Sequence, residues 1–114
     1  MEDQPEVLAL VLNVLRQYGY HVLGATGPQE SLRLMRDHPG EVHLVITDII
    51  MPGMTGRQLA EEMERIRPGT RILFMSGYTR SEIGKEGLLD EGLYFLQKPF
   101  TPDTLAERVR AVLS

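Results

Sequence analysis

Short apolar runs alternate along this chain with longer segments in which apolar residues have helical spacing. Three of the runs are VHLVIT at Val42–Thr47, RILFM at Arg71–Met75 and LYFLQ at Leu93–Gln97. Strands that are apolar on both faces, separated by helices, are typical of a parallel sheet that helices cover on both sides. The alternation therefore predicts an α/β fold with a doubly wound parallel sheet.

The remaining elements follow from periodicity and from the positions of glycine and proline. A fourth short apolar run, His21–Ala25, is predicted as a strand because Gly27-Pro28 ends it. Helices are predicted at Val7–Tyr18, Gln29–Asp37, Gly56–Ile66, Thr79–Gly92 and Thr101–Leu113. A chain of 114 residues has the size of one domain, so we expect a single domain over residues 1–114.

Composition excludes several classes of function. The net charge of −4 is scattered and no basic block is present, which argues against direct nucleic-acid binding. The chain has no cysteine, which excludes disulfides and thiolate metal sites and fits the cytoplasm. The longest apolar stretch, Val7–Leu12, is far shorter than the ~20 residues of a membrane span.

Arg65, Arg67 and Arg71 cluster near one helix end, and we interpret them as a solvent-exposed face.

Polar residues follow the predicted strands at the edge where such sheets bind ligands. Asp48, Ser76 and Lys98 each come directly after a strand, and Glu2 and Asp3 precede the first helix. Clustered carboxylates repel each other unless a cation lies among them, and oxygen ligands favour Mg²⁺. Mg²⁺ and a lysine together can neutralise a phosphoryl group that arrives at a carboxylate. This set therefore indicates phosphoryl chemistry.

Four segments, in order, resemble the motifs of response-regulator receiver domains. They are Glu2-Asp3 for the acidic pair, Asp48 to Gly56 (DIIMPGMTG) for the phosphorylated aspartate, Met75-Ser76-Gly77-Tyr78 for the switch hydroxyl and Lys98-Pro99-Phe100 for the lysine-proline motif. The resemblance covers nearly the whole chain and implies one receiver domain of the flavodoxin-like, doubly wound type. The SGY and KPF segments look most like the C-terminal receivers of hybrid histidine kinases, and a stand-alone regulator remains open.

The resemblance implies roles for the acidic residues. Asp48 would accept a phosphoryl group from a phosphohistidine on a histidine kinase or a histidine phosphotransfer protein. Glu2, Asp3 and Asp48 would hold Mg²⁺, with the backbone carbonyl of Ile50 as a further ligand. The domain would catalyse only its own phosphorylation and dephosphorylation and would act on no outside substrate.

The resemblance also implies a switch. Lys98 would pair with the aspartate or its phosphoryl group, and Ser76 would bond a phosphoryl oxygen. The aromatic residue that turns inward on activation corresponds to Phe95. Ile50 and Tyr78 occupy the positions at which the family tunes dephosphorylation.

The sequence departs from the family at its start, where only Met1 precedes the acidic pair. The family's first strand is central, between the strands read here as His21–Ala25 and Val42–Thr47. A truncated or missing first strand removes about 6–15 kcal/mol of apolar burial, as much as a whole domain's stability. We therefore expect a homodimer or other self-association, with strand or segment exchange as one route. Two alternatives are a sheet that closes up into four strands with a shifted first helix, and a fragment whose start was misassigned or cut. We also expect weakened Mg²⁺ binding and phosphorylation, because no strand would fix Glu2 and Asp3.

Three other functions compete with this interpretation. A phosphatase with Asp48 as nucleophile would place a second acid two residues later, where Ile50 stands. A flavin-binding module would need a phosphate loop where Glu2-Asp3-Gln4-Pro5 is acidic. A truncated or pseudo-receiver that only binds partners or dimerises remains the main alternative.

Overall fold

A parallel three-stranded sheet forms the centre of the fold. The computed structural model describes residues 1–51, 53–77 and 94–114, with the backbone alone at residues 50 and 51. The strands are β1 (Leu44–Asp48), β2 (Ile50–Met51), β3 (Met54–Thr55), β4 (Arg71–Ser76) and β5 (Tyr94–Gln97). The main sheet has the order β1-β4-β5, and both of its strand pairs are parallel. β2 and β3 form a small antiparallel hairpin directly after β1.

Four helices of the described residues pack around the sheet, and local signals in the sequence fix where they begin. They are α1 (Pro5–Gln17), α2 (Pro28–Asp37), α3 (Gly56–Ile66) and α4 (Pro102–Leu113). Proline, whose fixed φ suits a first turn, opens three of them. α3 begins with a capping box, in which the Thr55 hydroxyl accepts from the Gln58 amide and the Gln58 side chain accepts from the Thr55 amide. Each helix in the described part of the chain is too short or too polar to cross a membrane.

The helices pack on opposite faces of the sheet. Because side chains alternate along a strand, successive residues of β4 and β5 serve different clusters. One face carries α1 and α4, whose buried contacts with the sheet are Val11, Val14, Leu15, Leu73, Met75, Leu96, Leu105, Val109 and Val112. The other face carries α2 and α3, which meet through Leu32, Met35, Leu59 and Met63. A smaller cluster on that face joins Ile49, Phe74 and Phe95. The predicted doubly wound α/β architecture is confirmed.

Most predicted elements lie within one or two residues of their observed bounds, and α3 agrees at both ends. The main correction is the predicted strand His21–Ala25, because residues 21–25 belong to no strand. A strand exists only when a neighbour pairs with it, and among the described residues Met1 and Glu2 are the ones that contact this segment and β1. The amide of Glu2 donates to the Ala25 carbonyl (3.1 Å), and the Asp48 amide donates to the Met1 carbonyl (3.3 Å). The predicted helix Thr79–Gly92 lies outside the described residues.

Of the arginines near the end of α3, Arg65 and Arg71 are exposed as we expected, whereas Arg67 is half-buried. The guanidinium of Arg67 donates to the backbone carbonyls of Met35 (2.7 Å), Gly40 (2.6 Å) and His38. Arg71 donates to the carbonyl of Val112 at the end of α4 (2.5 Å). Both residues therefore join separate elements at the edge of the sheet opposite the strand ends that carry Asp48 and Ser76.

Candidate functional site

The parallel register brings the residues at the carboxyl ends of the strands together. Asp48 is the last residue of β1 and pairs with Met75, while Ser76 ends β4 and pairs with Gln97. Lys98 follows β5, and its amide donates to the carbonyl of Ser76 (2.7 Å). The three residues that the sequence placed after strands therefore share one edge of the sheet.

The acidic residues join them there. One carboxylate oxygen each from Glu2, Asp3 and Asp48 lie within 4.8 Å of one another. The ammonium of Lys98 contacts Asp48 Oδ1 at 2.6 Å and the two oxygens of Glu2 at 2.7 and 3.0 Å. The predicted pairing of Lys98 with Asp48 is present in the structure, and the contact with Glu2 is an addition that the sequence did not indicate.

Burial shapes the electrostatics of this cluster. The side chains of Glu2 and Asp48 are almost fully buried, whereas Asp3 is exposed. Burial, together with the neighbouring Asp48, raises the pKa of Glu2 from 4.5 to about 7 despite the opposing effect of Lys98. Burial lowers the pKa of Lys98, but hydrogen bonds to Asp48 and Glu2 outweigh it, so the net pKa is raised. Lys98 therefore stays a cation, whereas Glu2 gains or loses its proton near neutral pH, because its pKa is about 7.

Our expectation that nothing would fix the acidic pair is wrong for Glu2. Its backbone bonds to Ala25, and its side chain is held by Lys98. The amino group of Met1 donates to the carbonyl of Ile46, and burial lowers the pKa of this amine from 8.0 to about 6. Backbone contacts on both sides thus hold Met1 and Glu2, whereas Asp3 is exposed.

An oxygen-only donor set is present for a hard cation. Asp48 Oδ2 is buried and has no hydrogen-bond partner among the residues that the structure describes. Because a buried carboxylate oxygen without a partner is costly, this atom is suited to a cation or a reacting group. The three clustered carboxylates provide the ligands that Mg²⁺ prefers.

Of the residues assigned to a switch, Ser76 lies at this edge, whereas Phe95 lies further inside the sheet, opposite Phe74. Ser76 is buried at the end of β4. Phe95 is 8% exposed and packs with Ile49 and Phe74. The backbone of Ile50 pairs with Thr55 in the hairpin. Tyr78 lies outside the described residues.

No role was predicted from the sequence for Gly56, the last residue of the motif that begins at Asp48. The first residue of α3, Gly56, lies against the backbone of Asp48 and Ile49. Its amide donates to the carbonyl of Ile49. The signal was a glycine at the point where the motif of Asp48 ends and the predicted helix begins, and the three-dimensional structure shows what this glycine contacts.

This geometry matches a known family. Residues 1–110 match the family model of the response regulator receiver domain. The chain belongs to the receiver-domain family. This receiver domain is 33% identical over 113 residues to the sensor kinase CckA of Brucella abortus (strain 2308), covering 99% of this chain and 12% of that protein. It is 26% identical to the response regulator receiver protein CpdR of the same organism, covering 98% of this chain and 92% of that protein.

Solved structures give the same assignment for the fold. The receiver domain of the hybrid histidine kinase CckA has a TM-score of 0.82 at 34% identity, covering 99% of this chain and 94% of that one. The chemotaxis protein CheY4 of Vibrio cholerae has a TM-score of 0.84 at 28% identity, covering 98% and 93%. The receiver family and its flavodoxin-like fold, predicted from four short motifs, are confirmed. This receiver domain spans only part of the length of some relatives. It covers 12% of the sensor kinase CckA and 47% of the transcriptional regulatory protein YrkP of Bacillus subtilis (strain 168).

Proposed function

We propose that Asp48 of this two-component receiver accepts a phosphoryl group from a phosphohistidine on a histidine kinase or a histidine phosphotransfer protein. The observation that carries the proposal is the difference in contacts between the two oxygens of the Asp48 carboxylate. Oδ1 contacts Lys98 at 2.6 Å, while Oδ2 is buried without a hydrogen-bond partner among the described residues. An oxygen of Asp48 forms a bond to phosphorus as the bond between phosphorus and the histidine nitrogen breaks. The receiver acts on no outside substrate.

Lys98 and the acidic residues supply the electrostatic part of the reaction. Lys98 lies close enough to neutralise charge that develops on the transferred group, and its raised pKa keeps it protonated. The carboxylates of Glu2, Asp3 and Asp48, with the backbone carbonyl of Ile50, would hold Mg²⁺. When bound, Mg²⁺ supplies positive charge opposite the phosphoryl oxygens and a template that orients them.

We propose that two buried residues, Ser76 of β4 and Phe95 of β5, change conformation when Asp48 is phosphorylated. Ser76 bonds a phosphoryl oxygen, and Phe95 responds by repacking against its neighbours. Phe95 shares a cluster with Ile49, which directly follows Asp48 in the chain. A change at Asp48 therefore reaches Phe95 through one intervening side chain. This short path supports the pair as the switch.

Intact-mass measurement after incubation with acetyl phosphate and Mg²⁺ tests the phosphoacceptor. We expect the wild-type protein to gain one phosphoryl group and Asp48→Asn to gain none. Asp103→Asn, which removes an exposed carboxylate on α4, is the matched control and should behave like the wild type. A folded wild-type protein that gains no group, or an Asp48→Asn variant that gains one, would contradict the assignment.

A second candidate function, self-association, is favoured by the segment that contacts Glu2. Residues 21–25 belong to no strand, and Leu23 is 47% exposed. Backbone groups of a segment without strand pairing are able to pair with an extended segment of another copy. Light scattering from micromolar to millimolar concentration should show dimers that Leu23→Thr weakens and that Leu10→Thr on α1 leaves unchanged. A monomer throughout this range would reject self-association and would leave the phosphoacceptor assignment untouched.

A further inference from the structure

The backbone around the phosphoacceptor leaves no room for a side chain at Gly56. An ideal Cβ at this position would lie 2.9 Å from Ile49 Cα and closer still to the carbonyl oxygen of Asp48. These neighbours are backbone atoms, which cannot move aside as a flexible side chain does. At Gly24, by contrast, the clash would involve only the side-chain methyl groups of Leu12. The backbone of Asp48 and Ile49 therefore excludes any side chain at position 56.

The contact at Gly56 closes a small loop that begins at Asp48. The Gly56 amide donates to the carbonyl of Ile49, and Ile50 pairs with Thr55 in the hairpin between them. The segment that carries the phosphoacceptor and the proposed metal-ligating carbonyl of Ile50 is thus folded back onto the first turn of α3. Its position is set by where α3 begins.

α3 is itself firmly held. The capping box of Thr55 and Gln58 fixes its first turn, with hydrogen bonds of 3.1 and 2.9 Å. Leu59 and Met63 are almost fully buried against α2. A helix held at its cap and along its core face cannot shift easily to accept a larger residue at position 56.

We propose that Gly56 is a positioning residue for phosphoryl transfer, because its missing side chain lets α3 hold the Asp48–Ile50 backbone in place. The inference rests on the proposed function of Asp48. A methyl group at position 56 displaces either α3 or the Asp48–Ile49 backbone by a distance on the order of 1 Å, since ordinary contact begins near 3.4 Å. A misplacement of about 1 Å at a reacting group lowers a rate roughly 100-fold.

The test compares Gly56→Ala with Gly27→Ala. Gly27 precedes α2 with φ −149, and an added Cβ there would meet nothing within 4 Å. Alanine is the better helix former, so without the clash Gly56→Ala would be harmless at the start of α3. We expect its phosphorylation rate with acetyl phosphate to fall roughly 100-fold per folded molecule, and its Mg²⁺ affinity, measured by calorimetry, to fall by about 10-fold or more. Gly27→Ala should keep both values within about twofold of wild type.

A second variant covers the case in which Gly56→Ala does not fold. Gln58→Ala removes half of the capping box without adding a clash, and we expect a smaller loss of rate and Mg²⁺ affinity in the same direction. A folded Gly56→Ala protein with wild-type rate and affinity would overturn the proposal. An unfolded Gly56→Ala together with an unchanged Gln58→Ala would also overturn it. If the wild type gained no phosphoryl group, the phosphoacceptor assignment would fail, while Mg²⁺ affinity would still decide the role of Gly56.

Discussion

Replacing Glu2 with glutamine should change how the stability of this receiver depends on pH. Glu2 is 1% exposed, and both of its carboxylate oxygens accept from Lys98. Burial and the neighbouring Asp48 raise its pKa from 4.5 in the unfolded chain to about 7 in the folded protein. Glutamine keeps the shape and the acceptor oxygen but carries no ionisable proton, so Glu2→Gln isolates the effect of this titration.

The sign of the effect follows from the direction of the shift. A group whose folded pKa is raised binds more protons in the folded state, so its contribution is complete below about pH 4.5 and is lost as pH rises through about 7. Each unit of pKa shift corresponds to about 1.4 kcal/mol, which gives a loss of about 3 kcal/mol over this interval. The wild type should therefore lose about 3 kcal/mol relative to Glu2→Gln between pH 4.5 and pH 8.

Urea unfolding followed by circular dichroism, with a metal chelator present, measures this difference. Asp3→Asn, at the exposed neighbouring acid, is the control and should follow the wild-type pH profile. The Met1 amine has a lowered pKa, so its contribution is present above about pH 8 and is lost as pH falls through about 6. Burial, the largest cause of this shift, is common to all three proteins, and the Met1 contribution changes with pH in the direction opposite to that of Glu2. Parallel profiles for the wild type and Glu2→Gln would refute the reasoning.

Three further predictions concern stability and metal binding. Arg67→Met should lower the free energy of unfolding by about 3 kcal/mol, because two partly buried, charge-assisted hydrogen bonds contribute roughly 1.5 kcal/mol each. The control Arg65→Met breaks an exposed ion pair with Glu62 and should lower it by less than about 0.5 kcal/mol. Equal urea midpoints for these two variants would contradict this. Thr55→Ala should cost about 1 kcal/mol by removing the cap of α3, and an unchanged midpoint would argue against the capping box. Mg²⁺ binding should strengthen from pH 6 to pH 8 and release protons, because Glu2 must ionise to bind the metal. Calorimetry in buffers of different ionisation enthalpy measures the number of protons released. A binding reaction that releases no protons would exclude Glu2 as a ligand.

The sequence was most informative where a local pattern decides the structure. The apolar runs at β1, β4 and β5 each contain buried residues, and their alternation with segments of helical spacing predicted their type and order. α3 agreed at both ends because Thr55 caps its start and Pro68-Gly69 follows its end. Parallel pairing then brought Asp48 and Lys98 together, as the positions after the strands had indicated.

The sequence was least informative where the outcome depends on a distant partner. His21–Ala25 has the composition of a strand, but strand pairing needs a neighbour along its whole length. Among the described residues, Met1 and Glu2 are the ones that contact it and β1, so the local propensity of this segment has no ladder to join. The three carbonyl contacts of Arg67 could not be predicted either, because they join residues that lie 27 to 32 positions apart.

The charge balance of the site explains why one lysine is not enough for the proposed reaction. In the structure Lys98 is shared between Glu2 and Asp48, and burial, with a further contribution from Asp48, raises the pKa of Glu2. A phosphoryl group carries about −1.5 to −2 charges at neutral pH, so its transfer to Asp48 increases the negative charge beside Glu2 and Asp3. Lys98 cannot neutralise this increase and remain paired with Glu2. A divalent cation among the carboxylates removes the conflict, which links metal binding to phosphorylation through the same buried glutamate.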